Sequence, residues 1–581
     1  MTNIITCFNE ETCKTSKDNF FLGEWCLHWN KNNNVSKNKI LPSHWNNKKR
    51  FKNDLRYIED LYERLLKTLA LKLNKMNSVN YDILSWRIII GPWLHSFLIS
   101  TYDKYKNLNT LINLKKIKKI KTEIIDYEIN EMVPKNYREF VKIFLLSKSH
   151  IHFIYSELIK KIFFKNFKCK ILKKKKEIED LNINKVYHKN SLLNYLLNYL
   201  FFGSKKLSKI YFCDQYLSQK DKLLIKLSLK KINFNYDIFS ERDFKFNISD
   251  FDENKRNDIL RFTPKNKFEF FLKDNILKYI PLSYLEGFNT YLKKTKEIDN
   301  NKCNYIFASG AHLMNDFFKI WLVNNKKSKL YVVHHGGSFP QENLYLHKHE
   351  NLISEKKITS FKPINKDYIQ LPSIKVRNKK LNNLSGKKIL LIAYDSALTI
   401  VRGGELFNSS DILIDFDQKY KLFKNLNTEN KNNFKVRLFP FDYGWNLKER
   451  YCKKFKKDVL DKNSNLKASL KNTRIAINSY LDTPLSECMA MNVPNLTLIL
   501  KDKREISRPF LSLYRDMKKN KLIFYDPGAA SKQINKVYDN VQDWWSQKEI
   551  QKVVQNFKEL LIFGNSTNTG KTWLKFLQNK I

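Results

Sequence analysis

The chain has 581 residues, 42% of them apolar, with 106 lysines and arginines against 58 acidic residues, a formal charge of +48. That length exceeds what one hydrophobic core organises and the apolar content excludes a mainly disordered chain, so two large folded units are expected. The basic excess is spread along the sequence beside abundant asparagine and isoleucine, which points to compositional bias and away from nucleic acid as a partner, while leaving a weak peripheral contact with the anionic inner membrane open.

In chain order, the start MTNIITCFNEETCK shows no basic segment followed by an apolar one, so no signal peptide is expected. Eight dispersed cysteines without a CxxC pair indicate neither a zinc site nor a disulfide framework, and suit a reducing cytoplasm. From Asn46 to about Tyr105 the apolar residues recur at helical spacing, as in FKNDLRYIEDLYERLLKTLALKLNKMN. The following apolar stretch, Ile88 to Ser100, falls short of the roughly 20 residues that span a bilayer, so it reads as core, with Trp86, Trp93 and Tyr102 as packing residues. Runs such as KKIKKIK at 115–121 and KKKK at 173–176 read as solvated faces or loops.

Further on, KIYFCD (209–214), NYIFASG (304–310) and KLYVVHH (329–335) are short apolar runs with helical text between the last two, the rhythm of buried parallel strands. A polar stretch from Phe361 to Lys387 is the candidate linker. A second series then follows: KILLIAY (388–394), FKVRLFP (434–440), TRIAINSY (473–480), NLTLIL (495–500) and KLIFYDP (521–527), with amphipathic helix from Val537 onward. The expectation is an α/β protein with two Rossmann-like units facing a cleft. Its divisions are a helical region 1–130, a first unit 131–375 and a second unit 376–581 that includes the terminal helices.

Four stretches could hold chemistry. HHGG at 334–337 ends a strand, where imidazole can act as a base and glycine lets backbone approach a ligand. Strand alternation sends only one histidine into the cleft, and His335, next to the turn, is preferred over His334. A satisfied core histidine at a plain turn is the alternative. NSYLDTPLSECMAMNVP reads as strand, loop and helix, with Ser479 and Thr483 near a helix start able to hold phosphate, and Glu487 set to hydrogen-bond a ribose diol. VRLFPFDYGW offers Arg437 in an apolar strand, satisfied by phosphate or equally by an internal carboxylate, and Asp442 in the following loop. AYDSALTIVRGGELF offers Arg402 before two glycines. DFD at 415–417 follows irregular text and is read as a decoy for a metal pair. GNSTNTGKT at 564–572 fails as a phosphate loop because its glycine spacing is one residue too long.

GEWCLHWN (23–30), the helix pair after Phe51, the HHGG turn, VRLFPFDYGW and NSYLDTPLSECMAMNVP together resemble a family of transferases from bacterial O-antigen, lipopolysaccharide and surface-polysaccharide clusters. More distantly, the His-Gly turn and the Ser/Thr-x-x-x-Glu loop resemble GT-B enzymes, including teichoic-acid glycerophosphotransferases and sialic-acid-type transferases. That resemblance implies a nucleotide-activated donor held by the second unit and a glycan or lipid-linked acceptor approached from the first. It gives His335 the part of the base, Gly336 and Gly337 that of the turn near phosphate, and Glu487 that of the donor-domain acid. The sialyltransferase-type His-Pro motif is broken, since Phe439 stands in its histidine position. The expected activity is metal-independent glycosyl transfer with no cofactor beyond the nucleotide-sugar substrate, glycerophosphoryl transfer or polyanion binding without turnover being the alternatives.

Overall fold

The structure is a computed structural model. It describes residues 1–581 apart from 8–17, 28, 30–34, 115–118, 127, 173–207, 215, 230, 235–238, 240–245, 248–249, 299–302, 335, 338, 342–343, 377–380, 382–385, 401–402, 405–406, 408, 564–567 and 581.

Two long helices dominate the first part of the chain. α1 (Lys48–Asn77) buries Phe51, Leu55, Ile58, Tyr62, Leu65, Leu66, Leu69 and Leu73 along one face, starts on an Asn47 cap to the Arg50 N–H, and stops at Ser78 in the left-handed conformation. α2 (Ile83–Ile112) starts on an Asp82 cap to the Ser85 N–H at 2.7 Å. Unlike α1 it is buried on nearly every side, because it packs against α1, Lys148–Leu158, Asp316–Asn324 and Tyr345–Ile353. Its length and composition would suffice to cross a membrane, but most of its apolar window is covered by the protein itself, so its hydropathy is that of a central core helix.

Around these helices stand three sheets whose strands pair only in parallel. The first contains β1 (Thr2–Ile5), β2 (Asn19–Phe21), β3 (Ile120–Ile125) and β4 (Phe167–Leu172) in the order β2-β1-β3-β4. The second contains β5 (Ile210–Asp214), β6 (Ile232–Phe234), β7 (Tyr305–Ala308), β8 (Lys329–Val333), β9 (Lys356–Thr359) and β10 (Tyr368–Gln370), ordered β10-β9-β8-β7-β5-β6. The third contains β11 (Lys388–Ile392), β12 (Phe434–Arg437), β13 (Thr473–Asn478), β14 (Asn495–Leu498) and β15 (Ile523–Phe524), ordered β12-β11-β13-β14-β15. In each sheet the strand order reverses beside the first strand, at β1/β3, β5/β7 and β11/β13, which is the doubly wound arrangement with its ligand crevice at the switch point.

Every strand expected in the two later units is present. The two-unit α/β architecture read from sequence is therefore the observed one, with three differences. Residues 1–130, expected to be helical, also supply β1, β2 and β3, so the N-terminal addition is built around a parallel sheet of its own. The terminal helix, Thr569–Gln578, returns from the second unit to the first: Trp573 is fully buried against Phe212 and Phe307 and donates its indole N–H to the Pro372 carbonyl at 3.1 Å. The candidate linker is also shorter than expected, because Tyr368–Gln370 pairs with β9.

The GNSTNTGKT segment is ordinary packing where it is described. Residues 564–567 lie outside the described residues, and a Cβ on Gly570 would stand 2.6 Å from the Asp221 Oδ1, so this glycine lets the terminal helix approach Gln219–Ser228. The DFD segment lies within the helix Asp411–Lys424, where Asp415 pairs with Lys419 at 2.5 Å and Asp417 faces Lys454.

Candidate functional site

A cavity of about 1470 Å³ opens at the C-terminal ends of β11, β12 and β13, the switch point of the third sheet. Its floor is the Ile392–Ser396 turn after β11, one wall is the loop after β12, and the other is the start of the helix Thr483–Ala490. Residues that precede the third sheet in the chain, among them Ser96, Tyr137, Met314 and Lys375, complete the enclosure. The loop ends contribute a continuous aromatic wall: Tyr394 lies 4.8 Å from Tyr480 and 5.1 Å from Phe407 between ring centroids, and Phe439 lies 5.9 Å from Tyr443.

Four acids line this space; Asp461 is held by Lys388 and Arg437 and Asp482 by Arg504, which leaves Asp395 and Glu487. Asp395, the third residue beyond β11, is 4% exposed and accepts from the Ser396 N–H at 2.8 Å and the Tyr443 N–H at 3.3 Å. Burial raises its carboxyl to about 8; the two N–H groups oppose that rise and the nearby Asp442 charge adds to it. Burial thus favours its neutral form near neutral pH. Glu487, one turn and a little more into its helix, is half-buried on the cavity wall; burial raises its carboxyl above the usual range against the pull of Lys375 and Arg437. No hydrogen-bond partner of its carboxylate occurs among the described residues, so it is available to a ligand.

The helix carrying Glu487 begins without a side-chain cap. Pro484 stands in its first turn, where a missing N–H costs nothing, and Asp482 turns away to form a two-point pair with Arg504 at 2.7 and 3.1 Å. The uncapped first turn and its dipole therefore point at the cavity, where an anion is favoured. In a smaller adjoining pocket, the buried Ser479 hydroxyl has no partner among the described residues.

The other expected site residues fall into three groups. Thr483 and Glu487 lie on the cavity together. Arg437 also lines it, but its Nη1 donates to the Asn463 carbonyl and the Ser469 hydroxyl at 2.9 Å each and lies 3.4 Å from Asp461, so its guanidinium is largely spent on the internal alternative. Asp442 is exposed and bonds the Gly444 N–H at 2.8 Å. His335 and Arg402 lie outside the described residues. His334 is half-buried, with its backbone N–H on the Ile358 carbonyl and its ring 5.6 Å from Phe361.

The two glycines serve a close approach between units. The Gly337 N–H donates to the Thr483 hydroxyl at 3.3 Å, and a Cβ there would stand 2.7 Å from the Ser486 Cβ; one on Gly336 would stand 3.1 Å from the Thr483 Oγ1. Gly336 and Gly337 thus dock on the helix that carries Glu487. Gly337→Ala is expected to lower unfolding free energy by about 1–3 kcal/mol through overpacking, read by urea denaturation; an unchanged midpoint would contradict the contact.

Asp395 was missed by sequence reasoning, as was His95. The buried His95 imidazole, lowered to about 3 by burial and then by Lys348, accepts the Gly403 N–H at 3.0 Å and stacks on Tyr345 at 3.4 Å, tying the loop after β11 to α2. Among the described residues no three His, Cys, Asp or Glu side chains gather as metal ligands would.

The profile described as LIC12162 family transferase matches residues 2–577. The chain belongs to that family. The match covers nearly the whole sequence, so both units and the N-terminal sheet are part of one LIC12162-family transferase. No curated protein matches it. Similar solved structures include the wall teichoic acid polymerase TagF, at 8% identity and TM-score 0.34 over 66% of this chain and 92% of that one. The glycosyltransferase SnogD from Streptomyces nogalater follows at 9% and 0.33 over 64% and 98%, and the spinosyn forosaminyltransferase SpnP at 11% and 0.26 over 47% and 75%. Likeness this loose carries no weight for substrate or mechanism. The fold assignment rests on the strand orders, and the activity class on the family.

Proposed function

We propose that this LIC12162-family transferase moves a glycosyl group from a nucleotide-activated donor to a glycan or lipid-linked acceptor of a surface polysaccharide. The observation that supports this reading is the 1470 Å³ cavity at the β11/β13 switch point, which joins an uncapped helix start, an available carboxylate and an aromatic wall. Glu487 would accept from the ribose diol, the first turn of its helix with Thr483 would hold the donor phosphate, and a ring of the wall would stack on base or sugar. Arg437 contributes positive field through its fixed position, without a free guanidinium.

In the transfer step the acceptor hydroxyl oxygen bonds to the anomeric carbon and the bond from that carbon to the donor phosphate oxygen breaks, the electron pair leaving with the phosphate. His335 would take the acceptor proton. The neutral Asp395 carboxyl is suited to donate a hydrogen bond to the departing oxygen, a role that a charged carboxylate would oppose. Activity is therefore expected to fall above about pH 8, where Asp395 ionises.

Thermal-shift measurements with CMP-, CDP-, UDP-, GDP- and dTDP-sugars test this reading. Stabilisation by one base class, lost in Glu487→Ala, is expected. Equal stabilisation by any polyanion, with the variant unchanged, would favour polyanion binding without turnover.

A further inference from the structure

The helix Gln219–Ser228 presents an apolar face to solvent among the described residues. Its Ile225 is fully buried, together with Leu229 just beyond it, and these hold the helix on the second sheet beside Thr569–Gln578. Leu223, Leu224 and Leu227 lie on the solvent side at 38%, 36% and 69% exposure, and Tyr216, in the loop leading into the helix, is 50% exposed. Exposed leucines gathered on one helix turn and its neighbour are unusual in a chain with ample polar residues to cover them.

The surroundings of this face are basic. Lys220 on the helix, Lys231 beyond it, and Lys571 and Lys575 on the packed terminal helix are all exposed. The one acid of the helix, Asp221, is turned inward, accepting from the Ser218 hydroxyl at 2.6 Å and lying against Gly570. Leucine side chains flanked by lysines match an interface with an apolar interior and an anionic surface, since each ammonium can reach head groups while the leucines enter the acyl region.

The face also adjoins the cavity. The Lys375 ammonium sits 5.6 Å from the Tyr216 ring centroid, and Lys375 lines the cavity near Glu487, so Tyr216, three residues before the helix, lies beside a residue of the cavity rim.

We propose that the leucine face of Gln219–Ser228 docks this protein on an anionic lipid bilayer, with the cavity rim beside the membrane surface. The docking itself does not depend on which donor is used. If the proposed transfer is right, an acceptor carried by a lipid would reach the cavity along Tyr216 and Lys375.

The test is co-sedimentation of the full chain with vesicles of phosphatidylglycerol and phosphatidylcholine, compared with vesicles of phosphatidylcholine alone. The wild type should bind the anionic vesicles. The triple variant Leu223→Ser, Leu224→Ser, Leu227→Ser should bind them at least tenfold more weakly at unchanged net charge, and Leu227→Ser alone should show a smaller loss in the same direction. The single variant decides the matter if the triple one does not fold. Binding of both variants equal to the wild type would overturn the proposal, because charge alone would then account for attachment. So would a wild type that dimerises in lipid-free buffer while the variants are monomeric, since the face would then belong to a second copy.

Discussion

Asp395→Asn is expected to flatten the pH dependence of stability, leaving the variant more stable than wild type relative to its acid-side value once the pH exceeds 8. The sign follows from proton binding. The Asp395 carboxyl is raised from 3.8 to about 8 by burial, so between those values the folded chain holds a proton that the unfolded chain has released. Stability contributed at this site therefore falls as pH rises from about 4 to about 8, and is level outside that window. Four pKa units correspond to a loss on the order of 5 kcal/mol in wild type, and the neutral amide has no such loss. Urea denaturation of both proteins at pH 5 and pH 8.5 measures the difference; parallel profiles would show that Asp395 ionises normally in the fold. The same buried acidity underlies its proposed role beside the donor phosphate.

Arg256→Ala is expected to cost about 3–5 kcal/mol, because it leaves a buried carboxylate without its partner. The Arg256 side chain is buried; its Nε and Nη2 each donate to Glu286 at 2.6 Å, and its Nη1 serves the Leu277 and Ile280 carbonyls at 3.1 and 2.8 Å. Removing the guanidinium strands all of these acceptors at once. The double variant Arg256→Met, Glu286→Leu should recover the part of the loss due to the stranded carboxylate, while the Leu277 and Ile280 carbonyls stay without their donor. Urea denaturation reads both; a single-variant loss below about 1 kcal/mol would mean that water reaches Glu286 and relieves it.

The strands around the cavity were legible because their centres are covered on both faces, so that KILLI carries four successive apolar residues and TRIAIN the apolar centre Ile-Ala-Ile. The first sheet was not, for the opposite reason. β2 has only three residues, β1 four, and β3 alternates as IKTEII amid lysine-rich text, so no run stands out. β9, KKIT, was hidden by its lysines; Lys357 is buried because Glu350, also bonded to His312, pairs with it at 2.8 Å from a helix earlier in the chain.

The site shows the same division. Glu487 could be read from its place on a helix after a strand, a relation local in sequence. Asp395 could not, since its acidity depends on burial and on Tyr443, which approaches only through the fold. Arg437 illustrates a pattern with two solutions: an arginine in an apolar strand demands an acceptor, and only the structure reveals that Asp461, Asn463 and Ser469 supply it.

Hydrogen–deuterium exchange with and without a saturating nucleoside diphosphate, its base chosen by the thermal-shift series, addresses the donor site itself. Protection confined to residues 393–396 and 480–487, the turn after β11 and the start of the Glu487 helix, is the predicted result. Protection elsewhere, with these two segments exchanging as in the free protein, would contradict a donor site at the β11/β13 switch point.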